Sequence, residues 1–513
     1  MVKDAGLTAL AALAGLTGFA GLVGCGGGDT FVVVTVTARP TVHDVAMLAV
    51  TQTSSGTTRT DTLALGAHTF PTSFSISTTN RVGQLDLSIA GLATDGSRMA
   101  VGATTTSLDL DTAAVLLDPG DFVVNTDYAQ DEFTTTDFET TGYQISATAD
   151  HRWTVSFRNT CSDTCNVFAR TIGSDGVPAR TTAAAGTNAY QLTSTTTQAG
   201  AFSAIAGQGA ATIAVWDFTD TVGTGVGVAC RGIDAMGTLT AGQRTISTEA
   251  ADTVVIAPLP TGNFAVAWQV TGPAAVHTMI VRPDCTALTS APVAVAPIAG
   301  TTNGPHRATV AASGTALLYG WIQDDAAYVR ATTTSTPPAF TSAAFKVEGA
   351  PIGETAEAVR IAPMGAGFAV ATRYVSSTLG APGQIYLQRT TSTGVVMGAP
   401  TLVSDKTGSD FTTGRRGFGI ATRADGMTLL VWSQCDDGNG GQCPGRLDIY
   451  GRLVDATATV VGEPFIVTTT TLGDQQDPSV VALGDGFAVA WTDSSKAAPD
   501  TDGTAVRARV VYP

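Results

Sequence analysis

Phe487-Ala-Val-Ala-Trp491 is the stretch that decides the fold. Phe487, Val489 and Trp491 alternate with Ala488 and Ala490, the period-two signature of a strand buried between large and small neighbours. The same register returns at Phe264-Ala-Val-Ala-Trp268 and at Phe368-Ala-Val-Ala-Thr372. Leu317-Leu-Tyr-Gly-Trp321 and Thr428-Leu-Leu-Val-Trp432 follow it, with looser copies at Thr212-Ile-Ala-Val-Trp216 and Trp153-Thr-Val-Ser-Phe157. With the last position of each as an anchor, the seven copies are spaced by 59, 52, 53, 51, 60 and 59 residues. Such regularity marks a repeat architecture.

Each anchor is followed by a strand-like segment carrying an arginine: Arg170, Arg231, Arg282, Arg330, Arg389, Arg452 and Arg509. A turn and a further short strand come next, as in Pro400-Thr-Leu-Val403 and Pro464-Phe-Ile-Val467. Adding the segment before each anchor makes four strands per copy. The last copy stops at Pro513 after its third strand, and Asp121-Phe-Val-Val-Asn-Thr126 is the candidate for the missing fourth. A seven-bladed β-propeller over residues 120–513, closed by strand 121–126, accounts for copy number, strand count and offset ends together. Repeats of about 55 residues are too short for a row of β-sandwich domains of about 100.

Residues 31–119 lack the repeat but still alternate, at Phe31-Val-Val-Val-Thr-Val36, Ser73-Phe-Ser-Ile-Ser77 and Gln84-Leu-Asp-Leu-Ser-Ile89 among others. Six or seven strands with no helical period predict an immunoglobulin-like β-sandwich, so the chain is all-β. Its expected role is to hold the propeller off a membrane, with carbohydrate binding as the alternative.

The N-terminus supplies the reason to expect a membrane. Lys3 precedes an apolar run from Leu7 that ends in Leu22-Val23-Gly24-Cys25. These are signal-peptide dimensions, and a Cys after Leu-x-Gly resembles the lipobox of bacterial lipoproteins. That resemblance implies that residues 1–24 are removed, that Cys25 is lipidated and that 25–30 form a short tether. Several acyl chains at about 0.8 kcal/mol per buried CH₂ anchor a protein stably. An uncleaved transmembrane helix and a plain secretory signal are the alternatives. With Gly26 after the Cys, the expected location is the outer membrane, facing either the periplasm or the outside.

Of seven Cys, removing Cys25 leaves six. Cys161 with Cys165, and Cys435 with Cys443, bracket small loops and read as disulfides of an exported protein. Cys230 and Cys285 remain, either as a third pair or as separate thiols. A metal site is the competing reading for the Cys435 loop with Asp436, Asp437 and Asn439, but neither a zinc nor a calcium ligand pattern is complete. No metal or cofactor is assigned.

The formal charge of −16, from 27 Lys+Arg against 43 Asp+Glu, disfavours nucleic acid as a partner. Charged residues are 14% of the chain against about 25% in typical soluble domains, which fits many short apolar strands. The arrangement, clearest over Gly417 to Pro513 with its GFAVAW and IYGRLVDATATVVGEPFIV segments, resembles exported bacterial lipoproteins with β-propeller repeats. The resemblance implies fold and export and transfers no catalytic residue.

GxSxG, HExxH and P-loop signatures are absent, and the inner-strand segments carry one charge, Arg360. No catalytic residue is assigned. The seven Arg are read as structural, each packing or pairing within its own blade. If a ligand face exists, it is the rim where chain enters the inner strands. Its candidates are Asp252, His306, Arg307, Glu354, Asp410, Arg415, Arg416, Asp474 and Asp477, with Glu249 nearby. The expected function is a lipid-anchored envelope binding or scaffolding module for a protein or glycan partner. The alternative is a glycan-active hydrolase or lyase with a divergent rim site.

Overall fold

A computed structural model describes residues 7–8, 30–124, 132–133 and 145–512, apart from 79–82, 95, 97, 160–165, 175, 177–188, 194–197, 200–202, 221–225, 235–236, 241, 273, 298–302, 348–353, 377–382, 408–416, 436–445, 471 and 498–502 within them. The chain is all-β and falls into two compact units, Met1–Phe122 and Val123–Pro513. Among the described residues no helix is long and apolar enough to cross a membrane, which says nothing about a β-barrel.

In the first unit, Phe31–Ala38 lies between Thr72–Ser77, antiparallel, and Thr112–Pro119, parallel. Gln84–Leu92 lies between Met47–Ser54 and Arg98–Ser107. Alternate residues point inward, and Val32, Val34, Leu48, Val50, Phe74, Ile76, Leu87 and Val115 meet in one apolar core.

The second unit is a seven-bladed β-propeller. Blade 3 shows the plan: Ala251–Pro258 innermost, then Phe264–Thr271, Ala274–Val281 and outermost Val293–Ala296, all antiparallel. Blade 4 (His306 to Lys346), blade 5 (Glu354 to Thr407) and blade 6 (Phe418 to Ile466) repeat it. In blades 1 and 2 a two-residue strand, Glu132–Phe133 or Gln198–Ala199, joins the inner strand in pairing with the second. Blade 7 takes Phe122–Val123 as its outer strand, and the Val124 N–H donates to the Val506 carbonyl at 2.7 Å. Blade 7 is thus completed from the N-terminal side of the array at Phe122–Val124, and Asn125 and Thr126 of the expected closing strand lie outside the described residues.

The anchors fill the spaces between blades. Phe157, Trp216, Trp268, Trp321, Trp432 and Trp491 are fully buried. Four of the indole N–H groups are satisfied locally: Trp321 by Gln323, Trp432 by Gln434, Trp491 by Gln475, and Trp268 by Glu249.

The arginines correct the sequence reading in two ways. Only five are in register. Arg170, Arg231, Arg330, Arg452 and Arg509 pair with Val155, Ala214, Tyr319, Leu430 and Val489, each two residues before its anchor. The matching positions of blades 3 and 5 hold Met279, opposite Val266, and Gln388, opposite Val370. Second, the guanidinium reaches out of its blade. Arg231, Arg330, Arg452 and Arg509 donate to the carbonyls of Leu192, Val295, Val403 and Val467, and Arg170 to that of Val124. Every acceptor belongs to the outer edge of the preceding blade, so the Arg staples one blade to the next. A second bond, Arg330 Nε to Ser342 O or Arg452 Nε to Gly462 O, keeps the expected tie within the blade.

Candidate functional site

On the rim named from the sequence, the inner strands begin with a kink. The pairing of first with second strand slips at Ala251/Thr253, His306/Thr309, Ala356/Ala358 and Gln476/Ser479. A bulge of this kind re-aims side chains at the edge of a sheet. Asp252, Arg307, Glu357 and Asp477 lie within the four irregularities, and Arg307 and Asp477 take left-handed φ values of 56° and 52°. Non-glycine residues there cost conformational energy that the surroundings must offset.

Polar contacts link these residues across three blades. Asp252 accepts from Gln269 Nε2 at 3.3 Å, and Gln269 Oε1 accepts the Arg307 N–H at 3.1 Å. The Arg307 guanidinium donates to the Glu357 carbonyl and stands 3.9 Å from its carboxylate. Glu357 is closed on its other side by the buried Arg373. Burial, then the charge of Arg307, presses the Arg373 guanidinium down to about 10, and the Glu357 carboxylate in contact with it opposes that fall.

The remaining candidates are placed separately. Asp474 accepts the Leu447 N–H at 3.1 Å, and Asp477 the Gly417 N–H at 3.3 Å, so both bind blade 7 to blade 6. His306 Nδ1 is 3.4 Å from the Gly304 carbonyl. Glu354 opens the inner strand of blade 5 opposite Ser376, and burial pushes its carboxyl up. Asp410, Arg415 and Arg416 lie outside the described residues. Glu357 and Arg373 were missed from sequence, because one acid between alanines and one Arg after Thr372 look like ordinary strand residues.

Glu249 has a structural duty. Its carboxylate accepts the Trp268 N–H at 2.9 Å and faces His277 Nδ1 at the same distance, doing for this anchor what Gln does elsewhere. Asp493 is likewise engaged, with Arg507 Nε at 2.6 Å. Among the described residues no group of three or more His, Cys, Asp or Glu is placed to hold a metal ion. The arrangement is a largely buried polar network that holds the bulged rim rigid, with Asp252 at its partly exposed end.

Cys230 and Cys285 form a disulfide, with Cα atoms 5.8 Å apart. Cys435 is also disulfide-bonded, whereas Cys25, Cys161, Cys165 and Cys443 lie outside the described residues.

No family model matches the chain, and no curated protein does. Solved structures to which the chain is similar include a puromycin hydrolase, with 13% identity over 70% of this chain and 53% of that one, at a TM-score of 0.40. The chain thus spans about half the length of that enzyme. The NanB sialidase of Streptococcus pneumoniae matches at 8% identity, 95% coverage of both chains and a TM-score of 0.40. An oligogalacturonate lyase in complex with manganese gives 11%, 72% and 89%, and 0.41.

Proposed function

We propose that this protein is a lipid-anchored binding or scaffolding module of the bacterial envelope, using the bulged rim of its propeller as the contact face. The observation that carries the reading is the linked chain Asp252, Gln269, Arg307, Glu357 and Arg373. It holds the rim rigid over three blades of a stapled ring and leaves Asp252 partly exposed at its end, which suits recognition of a polar protein or glycan surface. In this reading residues 1–24 are a signal peptide, Cys25 is lipidated, 25–30 tether the protein to the outer membrane, and an immunoglobulin-like sandwich over 31–119 is the spacer. The test is crosslinking in the native cell. Partners of the wild-type protein should be lost with Asp252→Arg and kept with Asp150→Arg on the opposite rim; equal loss with both rejects the face. Palmitate labelling that survives Cys25→Ser rejects the anchor.

One observation favours a second reading, a glycan-active enzyme. The carboxyl of Glu354 is raised by burial, the direction in which a general acid is tuned. Release of reducing ends from envelope polysaccharide, abolished in Glu354→Gln, would establish it; absence of turnover leaves the binding module.

A further inference from the structure

Two seams of the ring lack the arginine at the stapling position, and each is tied in another way. Between blades 4 and 5, where Gln388 replaces the Arg, the Arg307–Glu357 contact crosses the seam. Between blades 2 and 3, where Met279 replaces it, the Cys230–Cys285 disulfide crosses. Met279 packs there with Val228, Cys230, Ile246 and Cys285 in one apolar cluster.

Cys285 occupies a left-handed backbone position that ordinarily favours glycine. It sits in a hairpin that four blades share, closed by Arg282 N–H to Thr286 O and Cys285 N–H to Arg282 O. The same pair of bonds recurs at Asp234/Thr238 with Gly237, Thr391/Val395 with Gly394, and Asp455/Thr459 with Ala458. The third residue is left-handed in each, φ being 79° at Gly237, 82° at Gly394, 66° at Ala458 and 64° at Cys285. Glycine is the residue suited to that position. A cysteine accepts the unfavourable φ there, and from there its sulfur reaches the preceding blade.

We propose that the Cys230–Cys285 disulfide is a redox-responsive clasp, and that the seam between blades 2 and 3 is where this ring loosens when a dithiol reduces it. Both cysteines are buried, so a thiolate of the dithiol reaches the Cys285 sulfur as its hairpin opens and gives a mixed disulfide. Its second thiol then expels that sulfur, so the dithiol is oxidised and the protein gains two thiols, two electrons and two protons in all. Met279 offers no hydrogen bond to hold the seam afterwards. At the loop face, Trp268 and His277 remain on Glu249, so the seam opens from the hairpin side.

Hydrogen–deuterium exchange on the full chain tests this, comparing oxidised protein, protein treated with dithiothreitol, and Cys285→Gly. Reduction should speed exchange at least tenfold in peptides covering 244–247 and 276–288. Peptides of Val396–Thr407 and Leu447–Val454, across the stapled seam of blades 5 and 6, should change less than twofold. Cys285→Gly should show the open pattern without reductant, and dithiothreitol should add nothing at this seam, which separates the effect from reduction at Cys435. Met279→Arg should return the reduced protein to within threefold of the oxidised one. Exchange that stays within twofold on reduction, or that rises equally in all blades, overturns the proposal.

Discussion

Replacing Arg452 by Met keeps the apolar stem against its neighbours and deletes the guanidinium. Two hydrogen bonds are lost: Nη1 to the Val403 carbonyl at 3.0 Å and Nε to the Gly462 carbonyl at 3.2 Å. Their costs differ. Gly462 is exposed, so water replaces the donor and little changes. Val403 is fully buried, and its carbonyl has to remain unsatisfied or draw water into the seam. A buried group left without a partner costs about 1–3 kcal/mol, and a bond to a charged donor is worth about 1.5–3 kcal/mol. Some of this is returned because a half-buried cation is no longer desolvated. A net loss of about 2 kcal/mol follows. For the 391 residues from 123 to 513, an unfolding entropy of about 0.8 kcal/mol/K converts that to a fall of about 2–3 °C in Tm. Calorimetry and urea titration of Arg452→Met beside Arg282→Met read it, because Arg282 is exposed and out of register; its replacement should cost under about 0.5 kcal/mol. Arg452→Met with Arg170→Met, at separate seams, should add. If Arg452→Met matches Arg282→Met, the staple contributes nothing. If it spares stability and abolishes partner binding, the arginines are a ligand site.

Glu357→Gln leaves the buried Arg373 without its carboxylate and should cost about 3–5 kcal/mol in urea titration; a double-mutant cycle with Arg373→Leu should show at least ~2 kcal/mol of coupling. A cycle that sums to zero removes the ion pair from the account. Because burial raises Glu354, the fold prefers its protonated form, and the stability this gives is present at acid pH and lost as pH rises through the raised value. Glu354→Gln should therefore raise Tm at pH 8, with the gap closing by about pH 4; a gap independent of pH refutes this. Val124→Pro removes the N–H that bonds Val506 at 2.7 Å and should lower Tm by several degrees, whereas Val395→Pro, beside an exposed edge, should lower it less.

The strands and their number were legible because burial against a neighbouring blade enforces period two, and the anchor aromatics repeat with the blade. Ring closure was legible for a related reason: a three-strand final copy needs a partner, and only Asp121–Thr126 stood ready. Arginine register was not. Arg282 falls three residues after Met279 and Arg389 one after Gln388, and spacing from the anchor varies with loop length, so only pairing shows who faces whom. The disulfide was undetermined because Cys230 and Cys285, 55 residues apart, are one repeat apart in sequence, and only the left-handed hairpin brings the second back to the first. The rim was found as a region. Its central ion pair was not, since Glu357 and Arg373 meet only through the bulge of one strand and the register of the next.

The borrowed outer strand of blade 7 also dictates an order of events. Val124 and Val506 are 382 residues apart (506 − 124), whereas blade neighbours are about 55 apart. Loop-closure entropy grows only logarithmically, so joining the ends costs about 1.7 kcal/mol more than closing one repeat. The thermodynamic burden is small; the kinetic one is larger. Blade 7 cannot be completed until strand Ala505–Val511 is available, so a nascent chain has an incomplete ring whatever its other blades have done.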